Sequence, residues 1–188
     1  MRIIKIGYLL LLIGIALTIK NTIFERKEVT LETNKIGYTL EKEVGYHKKE
    51  IENTYDGILS IPQINLKKGI YEIGDKRNNI EENVTIHESS NYPNEKNSNL
   101  ILVAHSGTGK KAFFNDINKL NNDSLIEFYY QRVKYVYKIS DYYSIDKNGL
   151  AKINRDETKK TITLITCSRE DKTKQLVYIG YLIDEIKY

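Results

Sequence analysis

The 188-residue chain has one cysteine, one methionine, two prolines and no tryptophan. A single cysteine cannot form an intramolecular disulfide, so the thiol at position 167 is free unless it pairs with another molecule. One cysteine and three scattered histidines give no metal-ligand spacing, so no metal or other cofactor is expected. Neither GxGxxG nor GxxxxGK occurs, which removes the glycine-rich loops that cradle phosphates. The chain shows no internal repeat, and its body contains no long helical pattern. The formal charge is only +4, with lysines scattered among acids, so there is no basic stripe for nucleic acid.

What is present favours a folded, β-rich body behind an apolar leader. Hydrophobic residues make up 40% and charged residues 29%, as in ordinary globular domains. Fifteen tyrosines, with many isoleucines and threonines, favour strands. From Ile3 to Ile19 only Lys5 is charged, and Lys5 and Lys20 can snorkel to the two interfaces. No small-x-small cleavage site follows, so residues 1–20 read as an uncleaved transmembrane helix rather than a signal peptide. Arg2 and Lys5 would keep the N-terminus cytoplasmic and place the rest on the extracellular face of the cell membrane. Residues 21–56 read as a polar stalk, with weak helical spacing over Leu40–Ile51.

The body, 57–188, reads as many short strands with one or two short helices. Gly57–Ile61 opens it as a strand ended by Pro62. Val84–His87 suits a brief strand, and the run Asn99–His105 suits a buried one. From Phe113, apolar residues recur at i, i+1, i+4 and i+7, which suits a short helix to Leu120. Leu125–Tyr130 and Val133–Ile145 read as two strands. Their join at Gln131-Arg132 lacks Asn-Gly turn chemistry. Thr161–Cys167 alternates as a half-buried strand, and Gln175–Ile183 forms the last one. Such a series argues for a closed, mostly antiparallel β-barrel.

Two of these strands end in titratable groups. Thr161–Cys167 stops on the thiol, and a charged turn, Ser168-Arg169-Glu170-Asp171-Lys172, follows. Asn99–His105 stops on an imidazole. A strand end fixes a side chain at the edge of solvent, and basic neighbours favour thiolate. An imidazole beside a thiol suits nucleophilic catalysis and can protonate a leaving amine. Glu81, Glu82 and Glu88 read as solvated acids.

These residues resemble the sortases, membrane-anchored cysteine transpeptidases of Gram-positive cell surfaces. Thr163-Leu164-Ile165-Thr166-Cys167 fits the family's TLxTC strand, and Asn99–Ser106 fits its histidine strand. Gly57–Leu66 with Ile70-Tyr71 fits its opening strands, and Phe113–Leu120 fits the helix after the histidine. The resemblance covers roughly 56–187. It implies an eight-stranded barrel in which Cys167 attacks the Thr–Gly bond of an LPxTG-like sorting signal. A peptidoglycan cross-bridge or protein amine then resolves the thioacyl intermediate. His105 would be the general acid and later the base, and Ala104 and Thr166 would line the substrate groove. The family places an arginine at the start of the strand after the cysteine. Here that position is Gln175, while Arg169 offers a guanidinium from the turn and Arg132 is a remoter source. Lacking a second apolar segment and an aromatic lid, the chain suits protein anchoring better than pilin polymerisation. A thiol hydrolase and a catalytically dead barrel receptor are the alternatives.

Overall fold

The computed structural model describes residues 55–148 and 151–188. The expected anchor, the stalk up to residue 54 and the helix over 40–51 lie outside these residues. No helix among the described residues is long and apolar enough to cross a membrane.

Eight strands form one sheet: β1 Gly57–Ile61, β2 Leu66–Ile70, β3 Thr85–Ile86, β4 Asn99–Val103, β5 Leu125–Tyr130, β6 Val133–Asp146, β7 Thr161–Cys167 and β8 Lys174–Lys187. Their order is β2-β1-β5-β6-β8-β7-β4-β3. Every pairing is antiparallel except β4 with β7. The sheet curls around one large apolar interior that draws on strands from both ends of this order, including Leu59, Ile70, Ile86, Leu102, Phe128 and Leu164. Closure is incomplete, because β2 and β3 stand at the two ends of the hydrogen-bonded order. The expected closed barrel is therefore a nearly closed one. β3 is only two residues long, too short to carry a ladder across the gap.

The expected short helices shrink to two three-residue 3-10 helices, Pro62–Ile64 and Ile117–Lys119. The stretch after His105 is not an α-helix, for a reason its burial makes plain. Phe114, Ile117 and Leu120 are the buried residues, spaced three apart. Three is the period of a 3-10 turn, whereas an α-helix needs 3.6. The backbone follows: Ile117, Lys119 and Leu120 donate to the carbonyls of Phe114, Asp116 and Ile117.

The join at Gln131-Arg132 is a two-residue hairpin loop, with Tyr130 paired to Val133. Both residues are left-handed, at φ 49° and 62°. That is the primed geometry that matches strand twist. Each non-glycine residue held there costs roughly 1–2 kcal/mol. Changing Gln131-Arg132 to Asn-Gly is therefore expected to stabilise the protein by about 1–2 kcal/mol and raise its thermal midpoint by several degrees. A calorimetric midpoint that stays or falls would contradict this.

One irregularity decides what the sheet presents outward. Up to Ile139, alternate β6 residues Tyr135, Tyr137 and Ile139 point into the interior. The register then shifts between Ile139 and Asp141. The additional residue, Ser140, is a β-bulge, and a bulge turns the following side chains to the other face. Tyr143 and Ile145 consequently lie on the outer face, against a second cluster built around Ile101, Ile165, Val177 and Ile179.

Candidate active site

The thiol and the imidazole leave neighbouring strands. β4 and β7 run in parallel, with Val103 opposite Ile165. The Ala104 N–H donates to the Ile165 carbonyl at 3.3 Å, so the alignment continues beyond β4. His105 and Cys167 each stand two residues beyond that pair, where the two neighbouring strands end. Cys167 is a free, half-buried thiol.

Across β7 and β8, Cys167 faces Gln175, and across β8 and β6, Gln175 faces Ile145. Directly opposed residues share a face of a sheet. Ile145, Gln175 and Cys167 therefore form one row on the outer face. Tyr143, Val177, Ile165 and Val103 form the next row. The Ser168 N–H donates to the Lys174 carbonyl at 3.0 Å. Cys167 and Gln175 are thus a non-hydrogen-bonded pair, the type that brings side chains closest, with Cα atoms about 4.5 Å apart.

Side chains tie the two strand ends together. The Thr166 hydroxyl donates to the Ala104 carbonyl at 2.7 Å. One step further, the Ser106 hydroxyl donates to the Cys167 carbonyl. The Phe114 N–H donates to the His105 carbonyl at 3.0 Å, and the Phe114 ring is fully buried. These contacts hold the histidine's backbone from both sides. Glu81 Oε1 lies 3.3 Å from His105 Nε2, with the two side chains 71% and 41% exposed. A pair this open adds little stability. What it offers is a fixed partner for one ring nitrogen, leaving Nδ1 to face elsewhere.

The expected site residues thus divide. Cys167 and Gln175 face each other across β7 and β8, and His105 follows the end of the neighbouring β4. Ala104 and Thr166 do not face it. They are 2% and 1% exposed, and Ala104 packs in the interior core. Alternation places them on the inner face, where they hold strand ends and offer a bound chain almost no surface. Arg169 is exposed in the β7–β8 turn and makes no hydrogen bond or ion pair with the described residues. That turn is held instead by Asp171, which accepts from the Thr173 N–H at 2.8 Å and the Thr173 hydroxyl at 2.6 Å. These bonds hold the Asp171 carboxyl below its ordinary range. Arg132 sits at the start of β6, the end opposite Ile145.

Several neighbours were invisible in the linear reading. Glu81 comes from the long β2–β3 connection, and Ser106 looks like a loop serine. Tyr143 and Ile145 reach the outer face only through the bulge at Ser140, and Ile153 packs on the same face from the β6–β7 connection. No group of three or more His, Cys, Asp or Glu among the described residues could hold a metal ion.

Many solved structures share this architecture, among them the following three. Sortase C-3 from Streptococcus pneumoniae superposes with a TM-score of 0.63 at 16% identity, covering 86% of each chain. Sortase A from Corynebacterium diphtheriae, a lid mutant, gives 0.62 at 20% identity over 72% of this chain and 73% of that one. The pilus-related sortase C of Group B Streptococcus gives 0.61 at 20% identity over 74% and 77%. At such identities the likeness establishes the fold alone. No curated protein matches the chain. The model of the sortase domain matches residues 59–183, which take in all eight strands in whole or part, and on that match the chain belongs to the sortase family.

Proposed function

We propose that the protein is a cysteine transpeptidase that cleaves an LPxTG-like sorting signal and joins the upstream fragment, through its threonine carbonyl, to an amine. The observation that carries this reading is that Cys167 faces Gln175 at the end of β7, with His105 two residues past the parallel β4 ladder beside it. The Cys167 thiolate attacks the threonine carbonyl carbon. The Gln175 amide donates a hydrogen bond to the developing oxyanion. His105, as imidazolium, gives its proton to the departing glycine amine, and a thioester remains on Cys167. A primary amine from a peptidoglycan cross-bridge or another surface protein then attacks the thioester. His105 takes its proton, and the thiolate leaves. The half-open apolar side chains of Val103, Tyr143 and Ile145 on the outer face support placing the signal's upstream residues beside Cys167. Residues 1–20 would hold the enzyme to the membrane with the barrel outside the cell.

The test is to incubate the protein with a quenched LPxTG-type peptide panel, with and without a primary amine, and to search Cys167 by mass spectrometry. The expected results are an acyl adduct on Cys167 and faster turnover with amine. Cleavage that ignores amine would make the protein a hydrolase. No adduct and no cleavage across the panel would leave a binding module and sink the proposal.

A further inference from the structure

Glu81 and Glu82 stand side by side on the β2–β3 connection, and each reaches a different residue of the segment that follows β4. Glu81 Oε1 lies 3.3 Å from His105 Nε2. Glu82 pairs instead with Lys111 Nζ. Two asparagines hold the backbone beneath them. The Asn78 amide accepts from the Ile86 N–H at 2.8 Å and donates to the Ile86 carbonyl at 2.9 Å, as a neighbouring strand would. That fastens the connection to β3, and β3 pairs with β4, with Thr85 opposite Val103. The Asn79 carbonyl accepts from the Glu82 and Asn83 N–H groups at 3.0 and 2.8 Å. Its side-chain oxygen accepts from the Glu81 N–H at 3.0 Å. Just beyond, Asn83 and Val84 are buried. The Glu81 side chain is open to solvent, yet it reaches out from a fixed turn. That turn is tied to the strand beside the one that delivers His105.

Resting on the transpeptidase reading above, we propose that Glu81 is a positioning residue that keeps a hydrogen on His105 Nε2 and leaves Nδ1 as the nitrogen that exchanges protons. An ionised carboxylate only accepts hydrogen bonds, so the ring nitrogen that faces it carries hydrogen. A neutral imidazole has one N–H, and fixing it on Nε2 leaves the lone pair on Nδ1. The Nε2–H then stays with Glu81 throughout the cycle. Nδ1 takes the Cys167 proton, which gives thiolate and imidazolium. It passes that proton to the departing glycine amine and later takes one from the acceptor amine. Glu81 acts only through the ring. Glu82 offers the same charge one residue away without touching the ring, which makes it the control.

Two measurements on the full chain test this. The first uses ¹⁵N-histidine-labelled Cys167→Ala protein at a pH where the ring is neutral. Long-range proton–nitrogen correlation reads which nitrogen bears the hydrogen, and adding His105→Ala identifies the signal among three histidines. The hydrogen is expected on Nε2. Adding Glu81→Ala should shift the ring toward a mixture of tautomers, whereas Glu81→Gln, whose amide oxygen still accepts, should keep the Nε2–H. The second measurement is acylation by the cysteine-containing protein. Glu81→Ala is expected to lower the saturating rate about 3- to 5-fold, the scale of an exposed pair. KM should stay within about twofold. Glu81→Gln and Glu82→Ala should both stay within about 1.5-fold of the original rate. Hydrogen on Nδ1, or a tautomer that Glu81→Ala does not move, would overturn the proposal. So would a shifted tautomer with an unchanged rate, or an equal rate loss in Glu82→Ala. If the original protein cleaves no peptide, the transpeptidase reading itself fails and the catalytic role falls with it. That outcome is read on the unmodified protein and so stands apart from the tautomer.

Discussion

Cys167→Ala is expected to abolish acyl-enzyme formation and to lower peptide cleavage by about 10⁵-fold or more. The thiol is the only cysteine, so no second sulfur can substitute. Removing a nucleophile that acts as one unit with its base costs about as much as removing both. His105→Ala is expected to cost about 10²- to 10⁴-fold, the range for a positioned general acid and base. The double variant should then be no slower than Cys167→Ala alone. Burst kinetics with a fluorogenic peptide, read beside intact-mass spectrometry, check all three. Circular dichroism should be unchanged, since both side chains leave strand ends at a half-exposed rim. Residual cleavage by Cys167→Ala above one part in a hundred would mean that another residue carries the reaction.

Gln175→Ala is expected to slow acylation about 10²- to 10³-fold, the cost of removing one neutral amide donor from an oxyanion hole. Gln175→Arg should acylate at least as fast as the original, because the guanidinium would sit opposite Cys167 in the same close pair. Arg169→Ala should change the rate less than about threefold, since its side chain stands exposed in the turn without a partner among the described residues. Pre-steady-state acylation rates decide between them. Loss confined to Arg169→Ala would move the oxyanion donor into the β7–β8 turn, and loss in neither would remove both residues from the reaction.

How much of this was legible follows from which interactions are local. The Thr161–Cys167 strand was readable to its last residue because alternation along one segment needs no partner. The histidine's placement beside it could only be guessed from two matching strand ends. What sets the two strand ends side by side is the parallel β4–β7 register, a contact between residues some sixty positions apart. The Gln131-Arg132 hairpin defied its turn chemistry because the β5–β6 ladder imposes the left-handed turn. The 3-10 turn after His105 was misread because four apolar positions were counted, while only the three spaced by three are buried. Ala104 and Thr166 flank the reactive pair in sequence yet lie on the wrong side of the sheet, as alternation requires of immediate neighbours. Glu81 carries no local signal at all. Its approach to His105 depends on the path of the β2–β3 connection.

The single additional residue at Ser140 has a consequence for how such a chain can change. Before it, Tyr135, Tyr137 and Ile139 are hostages of the barrel's interior, and any exchange of these disturbs the fold. After it, Tyr143 and Ile145 rest on the smaller outer cluster and keep part of their surface open. On the proposed function, mutation of that second half could redraw a docking surface for a new peptide without asking the barrel's interior to repack.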